Sequence, residues 1–267
     1  MRKILLLTAA FVGFSAPCFA ADAPAPPVPA PAAATPASQA GPAFTDAQRT
    51  EIEDIIKSYL VDKHPEVMVE GLQNVQKREQ EKAESKSKEQ VGANKDKIFN
   101  DPSSPVGGNP KGDVTVVEFY DYQCGYCKMS EESVERLLKE DKNVKFVYKD
   151  FPILGPVSGE AAKASMASIK QGKFQAFHDA LMTKKEHITS DMIYQTAKDV
   201  GLDVEKLKKD MADSAINDAI NKNLKLGQEI GVRGTPMFIV NDATFPGALQ
   251  YEQLKQAVSD ARTGKKS

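Results

Sequence analysis

Apolar and polar residues follow several distinct regimes along the chain. Ile4 to Phe14 form a short apolar run, and Ala21 to Ala43 is then dominated by Ala and Pro with almost no large apolar residue. Such a composition cannot bury enough surface to fold and tends to extended polyproline II. At Thr45 the period becomes helical. Thr45 with Gln48 makes a capping box, and Ile52, Ile55, Ile56, Tyr59 and Leu60 recur on one face. Pro65 interrupts this helix, and Met68, Leu72 and Val75 mark a second one. From Gln76 to Gln90 only Ala83 is apolar, which predicts a helical arm with nothing to pack.

The Pro-, Gly-, Ser- and Asn-rich segment from Asp101 to Gly112 is expected to be a loop and a domain boundary. Val114 to Tyr120 reads as a buried strand, Val134, Leu137 and Leu138 as a helix, and Val144 to Tyr148 as a second strand. The crossover implies parallel pairing. From Gly159 to about Gly231 the pattern is helical throughout and predicts four or five helices. Met237 to Val240 reads as a strand, Asn241 to Phe245 as a turn with a short strand, and Tyr251 to Ala261 as a closing helix.

Two helical stripes with so few large apolar side chains cannot make a stable core alone, although each would contribute roughly 1.5 to 3 kcal/mol if covered. Either they dock on the downstream body or other copies cover them; because the polar arm separates them from the rest of the chain, residues 44–75 are expected to associate with other copies, as a dimer or trimer.

The 267 residues carry 35 basic and 37 acidic side chains, with no sustained basic stripe. Nucleic-acid binding is not expected. Arg2 and Lys3, the apolar run and the small residues ending at Ala20 have the form of a cleavable secretory signal covering 1–20. The run is too short for a membrane span, and Pro17 is a poor fit to a lipid anchor on Cys18. The expected organisation is signal 1–20, Pro/Ala tether 21–43, helical stalk and arm 44–100, and an α/β body 101–267 with a helical insert at about 153–231. The expected compartment is the periplasm.

Once the signal is removed, Cys124 and Cys127 remain, spaced Cys-x-x-Cys. So short a loop constrains the unfolded chain very little, so the pair is read as chemical rather than structural. It could supply half a zinc site, but His64, His178 and His187 are scattered, and neither a metal nor another cofactor is expected. Cys124 follows a strand and opens a helix, where the unpaired N–H groups and the helix dipole lower a thiol pKa. It is the expected nucleophile, with Cys127 as the resolving thiol.

The order of elements and the place of the cysteine pair resemble the thioredoxin fold. The long helical insert resembles its DsbA branch. Glu118 lies in the first strand where DsbA-like proteins often carry a buried acid, and Lys149 resembles the lysine that accompanies it; both are expected to tune the cysteine pKa values. Thr235-Pro236 resembles the cis-proline loop, which implies a substrate-binding backbone beside Cys124. The Gly125-Tyr126 dipeptide is similar to that of the isomerase DsbC, and lacks the cation that the Pro-His of DsbA supplies. The whole arrangement resembles the oligomeric ScsC-type and Com1-type thiol-disulfide proteins.

The resemblance implies an oligomeric disulfide isomerase or reductase acting on misfolded exported proteins and kept reduced by a membrane donor of the DsbD type. Two alternatives remain at this point: a disulfide-forming oxidase re-oxidised by a DsbB-type reductase, and a copper-binding or redox-buffering protein holding Cu(I) through both thiolates.

Overall fold

The computed structural model describes residues 44–264. The expected signal and tether, with Cys18, lie outside the described residues. The chain divides into two units at Pro65–Glu66.

In the first unit, α1 (Asp46–Lys57) is closed by the capping box. Thr45 Oγ1 accepts from the Gln48 N–H at 3.3 Å, and Gln48 Oε1 accepts from the Thr45 N–H at 2.9 Å. The helix widens into a π turn over Ser58–Lys63, with the His64 N–H reaching the Tyr59 carbonyl. Pro65 ends it, because a proline donates no hydrogen bond and forces its predecessor out of the helical region. No residue of α1 or the π turn is buried, and Ile52, Ile55, Ile56, Tyr59 and Val61 are exposed.

The second unit starts along α2 (Pro65–Ala93), whose Val67, Met68, Val69, Leu72 and Val75 are also exposed. The body begins earlier than the expected boundary at 101. Ser87 donates to the Ile230 carbonyl at 3.1 Å, and Val91 on α2 and Ile98 on α3 (Lys95–Phe99) are fully buried. The arm is thus exposed along its polar stretch and becomes core at Val91, the first large apolar side chain after Val75.

The sheet runs β1 (Val106–Gly108), β3 (Val144–Asp150), β2 (Val114–Tyr120), β4 (Met237–Val240), β5 (Ala243–Pro246), with β2–β3 parallel and the other pairs antiparallel. Strand β1 falls in the expected loop. Its Val-Gly-Gly has no strand pattern, and it pairs because β3 offers an open edge. Gly108 there has a φ of +63° and lies against the Val144 carbonyl, where a Cβ would stand 2.5 Å away. Between β2 and β3 runs α4 (Gly125–Glu140). The insert comprises α5 (Pro156–Ser168), α6 (Phe174–Met182), α7 (Ser190–Asp199), α8 (Val204–Met211) and α9 (Ser214–Ile230), and α10 (Tyr251–Thr263) closes the chain.

The central strands are covered on both faces, which is why they read as nearly continuous apolar runs. Val116, Tyr120, Phe146, Tyr148 and Phe238 face the core shared with α4, the insert and α10. Val117, Phe119, Val147 and Ile239 face the other way, against Val91, Ile98, Leu226 and Ile230. Among the described residues no helix is long and apolar enough to cross a membrane.

This alternation corrects one expectation. Glu118 pairs with Tyr148 in the β2–β3 register, so Lys149 pairs with Phe119 and projects from the opposite face. Lys149 therefore does not accompany Glu118. Its amino group is buried and donates to the Lys97 carbonyl at 2.8 Å and to Asp101 Oδ2 at 2.9 Å. Burial pulls the lysine pKa down, and Asp101 counters it. Burial pushes Asp101 up, but hydrogen bonds from Ser103 and Lys149 hold it at about 2. Removing one member of a buried pair strands the other. Asp101→Ala, which strands the fully buried ammonium, is expected to cost about 3 kcal/mol in urea unfolding, and Lys149→Met clearly less, because Asp101 keeps its hydrogen bonds from Ser103 and Ser104 and some contact with solvent.

Candidate active site

Strand β2 ends at Tyr120 and the chain turns through Asp121-Tyr122-Gln123 into α4, with Cys124 as its N-cap. The turn is fastened by Asp121, which the sequence analysis missed. Its Oδ1 accepts from the Gln123 N–H at 2.8 Å, and its Oδ2 from the N–H groups of Ile153 and Leu154 at 2.8 and 2.9 Å. One buried carboxylate thus fixes the cysteine turn to the start of the insert. Gln123 fastens a third segment, donating to the Ile188 carbonyl at 2.6 Å and accepting the Ile188 N–H at 2.8 Å. An aspartate or glutamine in a turn has no periodicity to mark it, so nothing in the pattern singled them out.

Both cysteines are free thiols. The Cys124 thiol donates to the Thr235 carbonyl at 3.1 Å, and the Thr235–Pro236 peptide is cis. The expected Cys124 and Thr235-Pro236 constellation is therefore assembled. A hydrogen bond from the Cys127 thiol is the largest influence on Cys124. It is opposed by burial and joined by hydrogen bonds with Thr235 and with the N–H groups of Cys127 and Tyr126, and together they pull the Cys124 thiol down to about 5. That lies between the values near 7 and near 3.5 typical of thioredoxin and DsbA. Cys127 is completely buried, and burial, the hydrogen bond to Cys124 and the field of Glu118 push its pKa well up.

Glu118 is brought to the same face as the pair. It lies between Tyr148 of β3 and Phe238 of β4, is 1% exposed and has no hydrogen bond to either oxygen. Burial, then the charges of Glu131 and Cys124, raise its pKa well above the carboxylate range. Around the buried pair the surface is apolar: Tyr126 and Met129 on α4 are 65% and 59% exposed, and Ile153 and Leu154, held by Asp121, are also open. Gly125 has no atom near its missing Cβ, so the dipeptide leaves the approach to Cys124 uncrowded.

Of the histidines, His64 packs at a tilt against Tyr59 in the first unit, with ring centroids 4.4 Å apart. His178 is fully buried, with Nδ1 2.9 Å from the Tyr122 hydroxyl.

The thiolate is the reactive form, so alkylation of Cys124 by iodoacetamide is expected to be flat above about pH 6 and to fall through a midpoint near 5, with Cys127 unreacted. Folding depresses this pKa below the unfolded value of about 8.5. The reduced protein therefore gains stability as pH rises from about 5 to about 8.5 and loses it as pH falls through 5, a change absent from the oxidised protein. Melting temperatures of both forms at pH 4.5 and 7.5 check this.

Known proteins agree with this layout. A family model described as the DSBA-like thioredoxin domain matches residues 115–259, and one described as the N-terminal domain of copper resistance protein ScsC matches residues 48–82. The Na(+)/H(+) antiporter NhaA 3 of Salinispora tropica is 30% identical over 158 residues, 58% of this chain and 24% of that protein, so the chain spans about a quarter of its length. A thioredoxin-like oxidoreductase from Silicibacter pomeroyi is 45% identical, covering 63% of this chain and 97% of that one with a TM-score of 0.62. ScsC of Proteus mirabilis, in a transitional conformation, is 26% identical and covers 83% of this chain and all of that one, also with a TM-score of 0.62. The segment matched by the first family model holds both cysteines, Glu118 and the Thr235-Pro236 loop, and the chain belongs to the family of DsbA-like thioredoxin domains.

Proposed function

We propose that the chain is a periplasmic thiol-disulfide oxidoreductase that acts as an oligomeric disulfide isomerase on misfolded exported proteins. The observation that carries this reading is the Cys124 thiol at the N-terminus of α4, 3.1 Å from the Thr235 carbonyl before the cis-proline, with its pKa pulled down to about 5.

The Cys124 thiolate attacks one sulfur of a wrong disulfide. A Cys124–substrate bond forms, the substrate disulfide breaks, and the other substrate sulfur leaves as a thiolate. The Thr235 backbone and the open side chains of Tyr126, Met129, Ile153 and Leu154 hold the client meanwhile. In isomerisation a second substrate thiolate then attacks its own bound sulfur and releases Cys124, with no net electron transfer. Otherwise Cys127 gives its proton to Glu118 and attacks Cys124, which releases a reduced client and leaves a Cys124–Cys127 disulfide. A membrane donor of the DsbD type would return that disulfide to thiols.

The exposed apolar side chains of residues 44–75, matched in part by the ScsC N-terminal model, support self-association through this region. The low pKa of Cys124 also favours a second reading, an oxidase of clients re-oxidised by a DsbB-type reductase, because a stabilised thiolate makes the disulfide form more oxidising.

Reactivation of scrambled ribonuclease separates the two. The full chain is compared with a version lacking residues 21–80, which keeps Ser87, Val91 and Ile98 in place. Full-length reactivation, with at least tenfold loss on truncation while insulin reduction persists, is the expected result. Rapid oxidation of reduced ribonuclease by both proteins without reactivation by either overturns the isomerase reading. Glu118→Gln is expected to slow the Cys127 step by on the order of 10², seen as accumulation of the mixed disulfide after mixing with a model substrate.

A further inference from the structure

Behind the cysteine pair, α4 and α6 face each other across a set of buried ligand atoms that the redox chemistry does not use. Glu131 stands one turn beyond Cys127 on α4 and is buried, with neither carboxylate oxygen hydrogen-bonded. His178 of α6 is 0% exposed, and its Nε2 also has no hydrogen bond. These two atoms point at each other: His178 Nε2 lies 3.5 Å from Glu131 Oε2. Asp179 follows on α6 with a carboxylate oxygen within 4.8 Å of both.

The hydrogen bonds around the ring decide what Nε2 presents. Tyr122 donates its hydroxyl proton to Ser165 Oγ at 2.6 Å, so at 2.9 Å it accepts the proton of His178 Nδ1. In the neutral imidazole Nε2 then carries a lone pair, and that lone pair faces a carboxylate. Two acceptors pointed at each other out of water repel unless something positive lies between them.

The 3.5 Å separation is longer than a charge-assisted N–H···O bond of about 2.7 to 2.9 Å. It is close to the edge of a tetrahedron around an ion with ligands at about 2.0 to 2.1 Å, which is about 3.3 to 3.4 Å. The surroundings match. Among the described residues, Glu131, Asp179 and nearby Glu135 form no ion pair with a lysine or arginine within 4.0 Å. Gln175 donates to Asp179 Oδ1 at 2.6 Å, as an outer group does for a metal-binding carboxylate. A cavity of about 300 Å³ whose lining includes Glu131, Glu135, Lys139, Tyr148 and Gln175 opens beside Glu131.

We propose that Glu131, His178 and Asp179 form a zinc site, with solvent or Glu135 completing the coordination. One imidazole with carboxylates suits a borderline divalent ion. Cu(I) prefers thiolates, and Ca²⁺ and Mg²⁺ demand shells made of oxygen alone. The site does not depend on whether the cysteine pair isomerises or oxidises.

The test uses the full chain with Cys124 and Cys127 joined as a disulfide, so that the thiols cannot hold zinc. After treatment with a chelator, it is titrated with Zn²⁺ against a chromophoric competitor, and with Co²⁺ for its visible absorption. The expected result is one zinc per chain and a Co²⁺ spectrum of a four- or five-coordinate site, with affinity at least tenfold lower in His178→Gln and in Asp179→Asn. His178 is buried among aromatic rings, so if His178→Gln does not fold, Asp179→Asn at the half-buried edge decides alone. No stoichiometric zinc in the wild type, or unchanged affinity in either folded variant, overturns the proposal.

Discussion

A sulfur anion must be held at neutral pH at a position almost out of contact with water, and most of the catalytic body serves that demand. Cys124 is 6% exposed, and burial alone would keep its proton on. What outweighs burial is a set of hydrogen bonds converging on one atom: from the Cys127 thiol, from the Thr235 side chain and from the N–H groups of Cys127 and Tyr126 that open α4. These groups come from two distant parts of the chain, the first turn of α4 and the Thr235 loop. Strand β2 aims the turn, Asp121 ties it to Ile153 and Leu154, and β4 carries the Thr235 loop beside it. Donors that are in place before the proton leaves need no reorganisation as charge develops.

The sheet distributes its buried charges by strand alternation alone. Glu118 and Lys149 differ by one place in register, so one side chain lies under the active site and the other lies on the back. On the front a lone carboxyl without a cation has its pKa raised, which makes it a stronger base. On the back the lysine is neutralised by Asp101 and grips the Lys97 carbonyl, joining the end of the arm to the sheet. Had Lys149 stood beside Glu118, the carboxylate would have been stabilised and its basicity lost.

The elements that position the site were legible because their patterns are strong. The β-branched run from Val114 to Tyr120, the Cys-x-x-Cys after it and the helical period of the insert each point to one structure. The capping box at Thr45 was legible for the same reason. Strand β1 was not, because Val106-Gly107-Gly108 owes its conformation to the edge of β3 rather than to its own residues. The partner of Lys149 was not legible either, since it depends on register and on Asp101, far away in the chain. Glu131 and His178 share no local spacing and meet only when α6 folds against α4. The start of the body before residue 101 has no strong pattern, because it rests on Val91 and on Ile98 with Phe99, a few apolar residues in a polar stretch.

The acid behind Cys127 also bears on the order of events. Glu118 lies on the buried side of the pair, and its field adds to burial in keeping Cys127 protonated. A protonated Cys127 cannot attack, so a mixed disulfide on Cys124 persists until that proton is taken up. Isomerisation needs this delay, because the client's own thiolate must find the bound sulfur before the enzyme's second thiol does. A more acidic Cys127 would release clients reduced, and a less acidic Cys124 would engage them slowly. The wide separation of the two thiols' acidities, set by the six-residue step from Glu118 to Cys124 and by one turn of α4, favours a long-lived first encounter over rapid release.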